Sequence, residues 1–284
     1  MTKMCRRMLM LVAGAACVAS FSLPASAETT LEKIKRTGEL TVGTEAAFPP
    51  FEFVEDGKIV GYGSDILAVV VEELGVKKLN QLDLPWQGIL PGVLAGKFDF
   101  VATTVGINEE RAKRYAYTLP IADGMPYTMK RKGDAINKVE DLNGKVLATQ
   151  LASSTEPVSK ALDAKLKAEG GSGLKDLKLF TSFPEAYVAL ANGEVDAVMQ
   201  SLPALAVVAK DKPDVFELAV PTPQEGGYTY LAWVTRPDDK DLRDAISGVI
   251  RKMRDDGRLA ALQKKWFGFE MKIPDEGYLP PGAQ

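Results

Sequence analysis

The chain has 284 residues, of which 35 are lysine or arginine, 38 are aspartate or glutamate and none is histidine, and its formal net charge at pH 7 is −3. Without histidine it cannot form a histidine-based catalytic triad or most transition-metal sites. The negative charge argues against nucleic acid and anionic membrane surfaces as partners. A metal site built from carboxylates stays open, but no acidic run has calcium-loop spacing, so we expect no metal and no cofactor.

Residues 1–27 have the pattern of a cleaved secretory signal peptide. Three basic residues precede an apolar run of about 15 residues, which is too short to span a membrane comfortably, and the small residues 25–27 fit a cleavage site. Cleavage leaves 284 − 27 = 257 residues with 35 − 3 = 32 basic and 38 acidic side chains, a net charge of −6. Cleavage also removes Cys5 and Cys17, so no disulfide or thiol nucleophile remains. An alternative is lipoprotein processing before Cys17, although Gly14 stands where a large apolar residue is expected.

The next hundred residues alternate between strand and helix patterns. Residues 40–43 predict a short strand, and an apolar stripe beginning after Ser64 predicts a helix that Ser64 caps and Gly75 ends. A second amphipathic helix is predicted over residues 86–94, closed by Gly96.

A strand, a polar turn and a helix start follow directly. Residues 98–102 predict the strand, residues 103–108 predict the turn, and Asn108 has the character of a helix N-cap with acidic residues in the first turn after it. Arg111 lies in that turn of helix. Backbone N–H groups at a helix start and an arginine fork can both bind a carboxylate, although Arg111 taken alone also fits an ordinary surface arginine.

The second half repeats the alternation. Residues 146–149 predict a strand, Thr155 opens a helix, and residues 242–253 form an amphipathic helix that Gly257 stops. This pattern predicts an α/β fold with largely parallel sheet.

A weak internal similarity suggests two related lobes. The strand pattern after Gly38 returns after Gly144, a separation of 144 − 38 = 106 residues, and the pattern around Gly96 returns at Gly193, a separation of 193 − 96 = 97 residues. Two lobes of about 100 residues suit the remaining length. Because ligands bind beyond the carboxyl ends of parallel strands, the loops at Glu45, Thr103, Gln150 and Gln200 are predicted to face each other across a cleft.

Six segments carry a resemblance to a known family. They are TVGTEAAFPPFEF (41–53), WQGILPGVLAGKFDF (86–100), INEERAKR (107–114), VEDLNGKVLATQ (139–150), ALANGEVDAV (189–198) and DDGRLAALQKKWFG (255–268). Together they resemble the polar amino-acid family of periplasmic solute-binding proteins, which serve ABC importers.

The resemblance implies a two-lobed periplasmic-binding-protein type II fold with a two-strand hinge. One lobe would contain residues 28–124 and 228–284, and the other residues 125–227. The hinge strands would lie near residues 123–128 and 224–229. The implied partners are a small ligand with a carboxylate and the membrane permease subunits of an importer, and we expect a secreted, monomeric, cofactor-free binding protein.

The family pattern also assigns roles in the first lobe. By resemblance, Arg111 pairs with the α-carboxylate of the ligand, helped by backbone groups of the segment that contains Thr103, Thr104 and Gly106. The side chains of Phe48 and Trp86 match aromatic positions that sandwich the ligand. Glu45 matches a position that contacts the ligand side chain, where an anion between aromatics favours a cation.

In the second lobe, Gln150, Ser153 and Ser154 match a loop that completes the carboxylate site at a helix N-terminus. Gln200 and Ser201 follow a predicted strand and match the opposite wall of the cleft.

Two departures from the family pattern bear on the ligand. The family usually has threonine where this chain has Gly106, so only the backbone can act there. The aspartate that pairs with the α-ammonium falls at Ser201, and a buried ammonium without a counter-ion is costly. Either Glu45 supplies the charge or the ligand lacks a free primary amine, as in a modified amino acid, a betaine-like solute or an opine-like conjugate.

Two other classes stay open. A few proteins on this fold are periplasmic dehydratases, in which a glutamate with a raised pKa could act as general acid, and Glu45 and Glu156 are the candidates here. An extracellular sensor domain is the third class, but it would normally be tethered to a membrane segment, and we expect none after residue 27.

Overall fold

The computed structural model describes residues 28–222 and 229–284. The predicted signal peptide therefore lies outside the described residues. In chain order the strands are β1 (Glu39–Thr44), β2 (Ala47–Phe48), β3 (Glu52–Glu55), β4 (Lys58–Val60), β5 (Lys78–Asp83), β6 (Phe100–Gly106), β7 (Ala116–Tyr117), β8 (Ala122–Asp123), β9 (Pro126–Arg131), β10 (Val146–Gln150), β11 (Asp176–Phe180), β12 (Ala197–Ser201), β13 (Phe216–Pro221) and β14 (Tyr230–Thr235).

Helices alternate with these strands. They are α1 (Thr30–Thr37), α2 (Tyr62–Glu73), α3 (Trp86–Leu94), α4 (Glu109–Ala112), α5 (Thr155–Ala168), α6 (Phe183–Ala191), α7 (Leu202–Asp211), α8 (Lys240–Asp255) and α9 (Arg258–Phe267), with a 3-10 turn at Val139–Leu142. No helix within these two described ranges is long and apolar enough to cross a membrane.

The strands form two main sheets. The first has the order β5-β1-β6-β14-β7, with β8 also paired to β14, and the second has the order β11-β10-β12-β9-β13. Strands β1 and β10 each run parallel to both of their neighbours, whereas β14 and β9 run antiparallel to theirs. The predicted α/β fold is confirmed, but the sheets are mixed rather than largely parallel.

The chain passes from the first sheet to the second close to Gly124. Strand β8 belongs to the first sheet and β9 to the second, so the chain changes sheets between Asp123 and Pro126. This is the first crossing predicted from the sequence. The second predicted hinge strand, at residues 224–229, lies outside the described residues except for Thr229.

Helix α2 begins earlier than the sequence indicated. Its N-cap is Gly61 and not Ser64, and the hydroxyl of Ser64 is buried without a hydrogen-bond partner. The first N–H groups of the helix donate instead to backbone oxygens, from Tyr62 to Pro50 at 3.0 Å and from Gly63 to Phe51 at 2.9 Å. Gly61 has φ 125°, and a side chain there would lie 2.3 Å from the Phe51 oxygen. Backbone packing against the loop at Pro50 and Phe51 therefore sets this helix start.

Strand β6 is longer than predicted. Residues 103–106 continue the strand instead of forming a turn, because they pair with β14, where Gly106 lies opposite Leu231 and Val105 opposite Ala232. The predicted helix at residues 86–94 and the Asn108 cap are both present, and the cap accepts from the Arg111 backbone N–H at 2.8 Å. Helix α4 extends for a single turn.

Candidate functional site

A cavity lies between the carboxyl ends of the strands of the two sheets. It contains about 370 Å³ of space not filled by atoms, including its opening to solvent, but the centre of a water molecule can reach only about 30 Å³ of it. A single water molecule needs about 10–15 Å³ of such space open to its centre. A ligand larger than a few waters can therefore enter only if the lobes or the lining side chains move. The lining residues are Glu45, Phe48, Trp86, Thr104, Gly106, Arg111, Gln150, Ser153, Ser154, Thr155, Phe183, Gln200, Ser201 and Leu231.

All of the binding residues predicted from the sequence line this cavity except Thr103. Alternation along β6 explains the exception, since successive side chains of a strand point to opposite faces. Thr104 and Gly106 face the cavity. The side chain of Thr103 is on the other face, where its hydroxyl donates to the Glu52 carboxyl at 2.8 Å.

Arg111 is half-buried at one end of the cavity. Its guanidinium donates from Nη1 to the Gly106 oxygen at 3.1 Å and from Nη2 to the Ala152 oxygen at 2.6 Å, and it lies over the Trp86 ring at 5.4 Å. Burial lowers the pKa of this guanidinium from its usual value. No carboxylate within residues 28–222 or 229–284 forms an ion pair with it. A charged fork that has only carbonyl partners is suited to binding an anion.

The Ala152 carbonyl connects the second lobe to the first. It also accepts from the Trp86 indole nitrogen at 2.9 Å. Ala152 has φ 60°, a left-handed conformation that is uncommon outside glycine, and its N–H donates to Glu156 at 2.7 Å. This turn places Ser153 and Ser154 at the cavity just before α5.

Three aromatic rings form the apolar part of the wall. Phe48 and Phe183 are stacked with ring centroids 5.7 Å apart and an interplanar angle of 24°, and Trp86 lies on the side of Arg111. The sequence interpretation missed Phe183, Thr155 and Leu231. For Phe183 the available signal was its position at the first turn of a helix that Ser182 caps.

Glu45 is the acidic residue of the cavity. Its carboxyl is buried and accepts a hydrogen bond from the Gln150 amide nitrogen across the cleft. Burial raises the pKa of Glu45 to about 7, with Asp83 adding a smaller effect in the same direction.

Glu52 lies behind the cavity and was not predicted from the sequence. It is fully buried, and one of its carboxyl oxygens has no hydrogen-bond partner. Burial raises the pKa of Glu52 to about 8, and the negative charge of Glu45 contributes. A side chain at Gly63 would lie 1.8 Å from that oxygen, so the glycine provides the space for the carboxyl group.

Glu156 does not fit the role of general acid. Burial acts to raise the pKa of Glu156, but hydrogen bonds from Lys160 and the Ala152 backbone outweigh it and lower the pKa below its usual value. Among the residues described here, no cluster of acidic or other metal-ligating side chains could hold a metal ion.

Three polar atoms of the cavity wall are buried without a partner. They are the hydroxyls of Thr104 and Ser201 and the amide nitrogen of Gln200. Leaving such a group unsatisfied costs about 1–3 kcal/mol. The wall therefore offers hydrogen-bonding capacity that the protein itself does not use.

Comparison with known proteins identifies the class. The family of bacterial extracellular solute-binding proteins, family 3, matches residues 40–269. The chain is 30% identical over 275 residues to the L-cystine-binding protein TcyJ of Escherichia coli (strain K12), which covers 94% of this chain and 97% of that protein.

Two solved structures are similar over most of the chain. An ancestral arginine-binding protein bound to arginine has a TM-score of 0.71 and 31% identity, covering 81% of this chain and 99% of that one. An ancestral amino-acid-binding protein described as a precursor of cyclohexadienyl dehydratase has a TM-score of 0.72 and 28% identity, covering 84% and 99%.

The chain belongs to the bacterial extracellular solute-binding proteins of family 3. The family resemblance and the two-lobed type II fold expected from the sequence are confirmed.

Gly106 is predicted to be necessary for closure of the cleft. A Cβ atom at Gly106 would lie 2.3 Å from the Ser154 hydroxyl oxygen and 2.4 Å from its Cβ. Overpacking of this kind costs about 1–3 kcal/mol. We expect Gly106→Ala to weaken ligand binding about tenfold and to reduce the ligand-induced decrease in radius of gyration measured by small-angle scattering.

The double variant Gly106→Ala/Ser154→Gly should recover closure, because it removes both colliding atoms. Gly88→Ala is the matched control, since a Cβ atom at Gly88 meets nothing within 4 Å. Full closure of the single Gly106→Ala variant would contradict the steric argument.

The buried carboxyl of Glu52 predicts a pH dependence of stability. Its folded-state pKa of about 8 is above its unfolded value, so its favourable contribution is complete below the unfolded pKa and is lost as pH rises through about 8. At about 1.4 kcal/mol per pKa unit, the wild type should lose roughly 2–4 kcal/mol from this group between pH 5 and pH 8.

Denaturant unfolding at several pH values measures this effect. Glu52→Gln should flatten the decline relative to wild type, whereas the exposed control Glu55→Gln on the same strand should leave it unchanged. Parallel stability curves for wild type and Glu52→Gln would refute the assignment.

Proposed function

We propose that this protein captures a small amino acid or amino-acid derivative between its two lobes and delivers it to the membrane permease subunits of an ABC importer. The observation that carries the proposal is the half-buried Arg111 guanidinium, which faces the cavity with carbonyl oxygens as its protein partners. A ligand carboxylate supplies the anion that this site lacks. The similar proteins are named for binding cystine or arginine, and these names support an amino-acid skeleton for the ligand.

The rest of the cavity suits a ligand with a cationic end. Phe48, Phe183 and Trp86 offer ring faces, and Glu45 offers a carboxylate beside them. Aromatic faces and an anion together favour a diffuse cation such as a guanidinium or an alkylated amine. When such a cation binds, it favours the ionised form of Glu45 and lowers the pKa of that carboxyl from about 7.

Binding is coupled to a hinge motion of the lobes. We assign residues 28–124 and 228–284 to the first lobe and residues 125–227 to the second, in keeping with the change of sheet near Gly124. The ligand docks on Arg111, Phe48 and Trp86 and then recruits groups of the second lobe. Contacts made only in the closed form shift the hinge equilibrium, and the permease recognises the closed shape.

The protein acts in the periplasm as a monomer without a cofactor, after removal of residues 1–27. The family is extracellular, and the sequence pattern of the first 27 residues fits a signal peptide. Intact-mass measurement of the protein exported by its host tests this directly. A mature mass that includes residues 1–27, or one that carries lipid on Cys17, would contradict the assignment.

A dehydratase is the second candidate function. Its support is the raised pKa of Glu45, about 7, together with the similar ancestral protein described as a dehydratase precursor. Glu156, the other acid considered, is not suited to donating a proton. We favour binding without turnover, and chromatography of candidate ligands after prolonged incubation distinguishes the two functions.

The role of Arg111 gives the first test of the binding site. Removing an arginine that pairs with a desolvated carboxylate should weaken binding by roughly 2–5 kcal/mol, or about 30- to several-thousand-fold. Calorimetry of Arg111→Ala with the strongest ligand from a thermal-shift screen measures the loss. Arg114→Ala is the matched control, because Arg114 is exposed and pairs with Glu110 on the same short helix. A loss of affinity below threefold in a folded Arg111→Ala protein would contradict the pairing of Arg111 with the ligand carboxylate.

The absence of an acid at Ser201 predicts the class of ligand. Simple amino acids with a free primary amine should bind with dissociation constants above roughly 10 μM, or about −6.8 kcal/mol. N-substituted carboxylates should bind more tightly where the substituent removes the need for a counter-ion at that wall, because an N-acyl nitrogen is neutral and an N-carboxyalkyl group brings its own anion. A thermal-shift screen of the common amino acids and their N-substituted forms tests this, and nanomolar binding of an unmodified amino acid would contradict it.

A further inference from the structure

Two side chains at the second-lobe wall fix each other's orientation. The Tyr187 hydroxyl of α6 donates to the amide oxygen of Gln200 at the end of β12. Both residues are buried, with Gln200 only 1% exposed. Burial raises the pKa of the Tyr187 phenol well above its usual value, so the phenol keeps its proton. That proton needs an acceptor in a buried environment, and the Gln200 oxygen provides it.

The orientation of the amide determines what the cavity offers. With the Gln200 oxygen bound to Tyr187, the amide nitrogen is the end that is left buried without a partner at the cavity wall. An amide nitrogen only donates hydrogen bonds. The neighbouring Ser201 hydroxyl, also buried and unpartnered, can donate as well. This wall therefore requires a hydrogen-bond acceptor.

The positions of the charged residues decide which part of the ligand meets this wall. Among the lining residues, Arg111 takes the carboxylate, and Glu45, the acidic member of that set, takes the cationic end of the side chain. The α-nitrogen and its substituent remain for Gln200 and Ser201. A primary ammonium there would face the donating nitrogen of Gln200 and would leave that nitrogen unsatisfied.

We propose that Tyr187 and Gln200 are a specificity-determining pair that selects ligands whose α-nitrogen carries an oxygen-bearing substituent, such as an N-acyl or N-carboxyalkyl group. Gln200 contacts the substituent oxygen, and Tyr187 is a positioning residue that holds the amide in the donating orientation. This inference rests on the proposed function, because it takes the carboxylate to lie at Arg111.

Three probes on one skeleton test the proposal by calorimetry: L-arginine, Nα-methyl-L-arginine and Nα-acetyl-L-arginine. All three share the carboxylate and the guanidinium, and only the acetyl compound has an acceptor oxygen on the nitrogen. The wild-type protein should bind the acetyl compound about tenfold or more tightly than the methyl compound, as expected when a buried donor gains its partner.

The variants assign that preference to the two residues. Gln200→Leu should lower the ratio between the acetyl and methyl compounds about tenfold, leaving only the part that comes from the charge of the methylated nitrogen. Gln200→Glu should reverse the preference, because the second carboxylate oxygen accepts but does not donate. Tyr187→Phe should reduce the ratio while the midpoint of thermal unfolding shows a folded protein. A purely structural role for Tyr187 would weaken both probes equally and would leave the ratio unchanged.

The outcomes separate this inference from the proposed function. Equal binding of the methyl and acetyl compounds, both tighter than L-arginine, overturns the inference and leaves the proposed N-substituted ligand intact. A ratio that is unchanged in Gln200→Leu also overturns it. If L-arginine binds most tightly, or if none of the three probes binds, the inference fails, and the Arg111→Ala measurement with the ligand found by screening decides the proposed function separately.

Discussion

The guanidinium of Arg111 reaches across the cleft to the carbonyl oxygen of Ala152, and the indole nitrogen of Trp86 donates to the same oxygen. This convergence joins the two lobes at the end of the cavity where we place the ligand carboxylate. It also explains the left-handed backbone of Ala152, which turns the carbonyl toward the first lobe while its N–H is held by Glu156. A non-glycine residue in this conformation costs on the order of 1 kcal/mol, so the surrounding contacts must hold it there. Arginine has five donors, and the two used by carbonyls leave others for an anion.

Closure of the cleft depends on whether the buried polar atoms of its wall gain hydrogen-bond partners. The unpartnered atoms of Thr104, Gln200 and Ser201 make the closed cleft less stable than its buried area alone would suggest, by about 1–3 kcal/mol for each atom. A ligand that satisfies them stabilises the closed form but not the open form, where water can serve the same atoms. Such differential contact is what shifts a hinge equilibrium. The unpartnered polar atoms of the wall therefore determine both which ligand binds and how strongly its binding favours the closed form.

Local signals in the sequence predicted the elements that local interactions determine. The helix at residues 86–94 and the Asn108 cap depend on neighbours a few positions away, and both were predicted correctly. The continuation of β6 was missed because the threonines at 103 and 104 have the composition of a turn, and only pairing with β14, far along the chain, makes them strand residues. The start of α2 was misplaced for a different reason, since carbonyl oxygens of the loop at Pro50 and Phe51 accept from its first N–H groups in place of the predicted serine cap.

The same distinction applies to the cavity. Family segments led to most of its lining residues. Phe183 had only the weak signal of its place in the first turn of a capped helix, and its stacking on Phe48 from the other lobe is visible only in the structure. Gly106 was expected to act through its backbone alone. The structure adds a steric reason for it, because Ser154 of the other lobe occupies the space of the missing side chain. No pattern within either segment could reveal that pairing.

The buried carboxyls of Glu45 and Glu52 set the charge balance of the site. Burial raises the pKa of Glu45 to about 7 and that of Glu52 to about 8, and the negative charge of Glu45 adds to the second shift, so Glu45 is the first of the two to ionise when a cation binds beside it. The Thr103 hydroxyl donates a hydrogen bond to one oxygen of Glu52. Thr103 therefore supports the site although its side chain does not line the cavity. One anion at Glu45 and one cation at Arg111 then face the same small volume. A zwitterion matches both, whereas a ligand with only one charge would leave the opposite charge of the protein desolvated and unpaired.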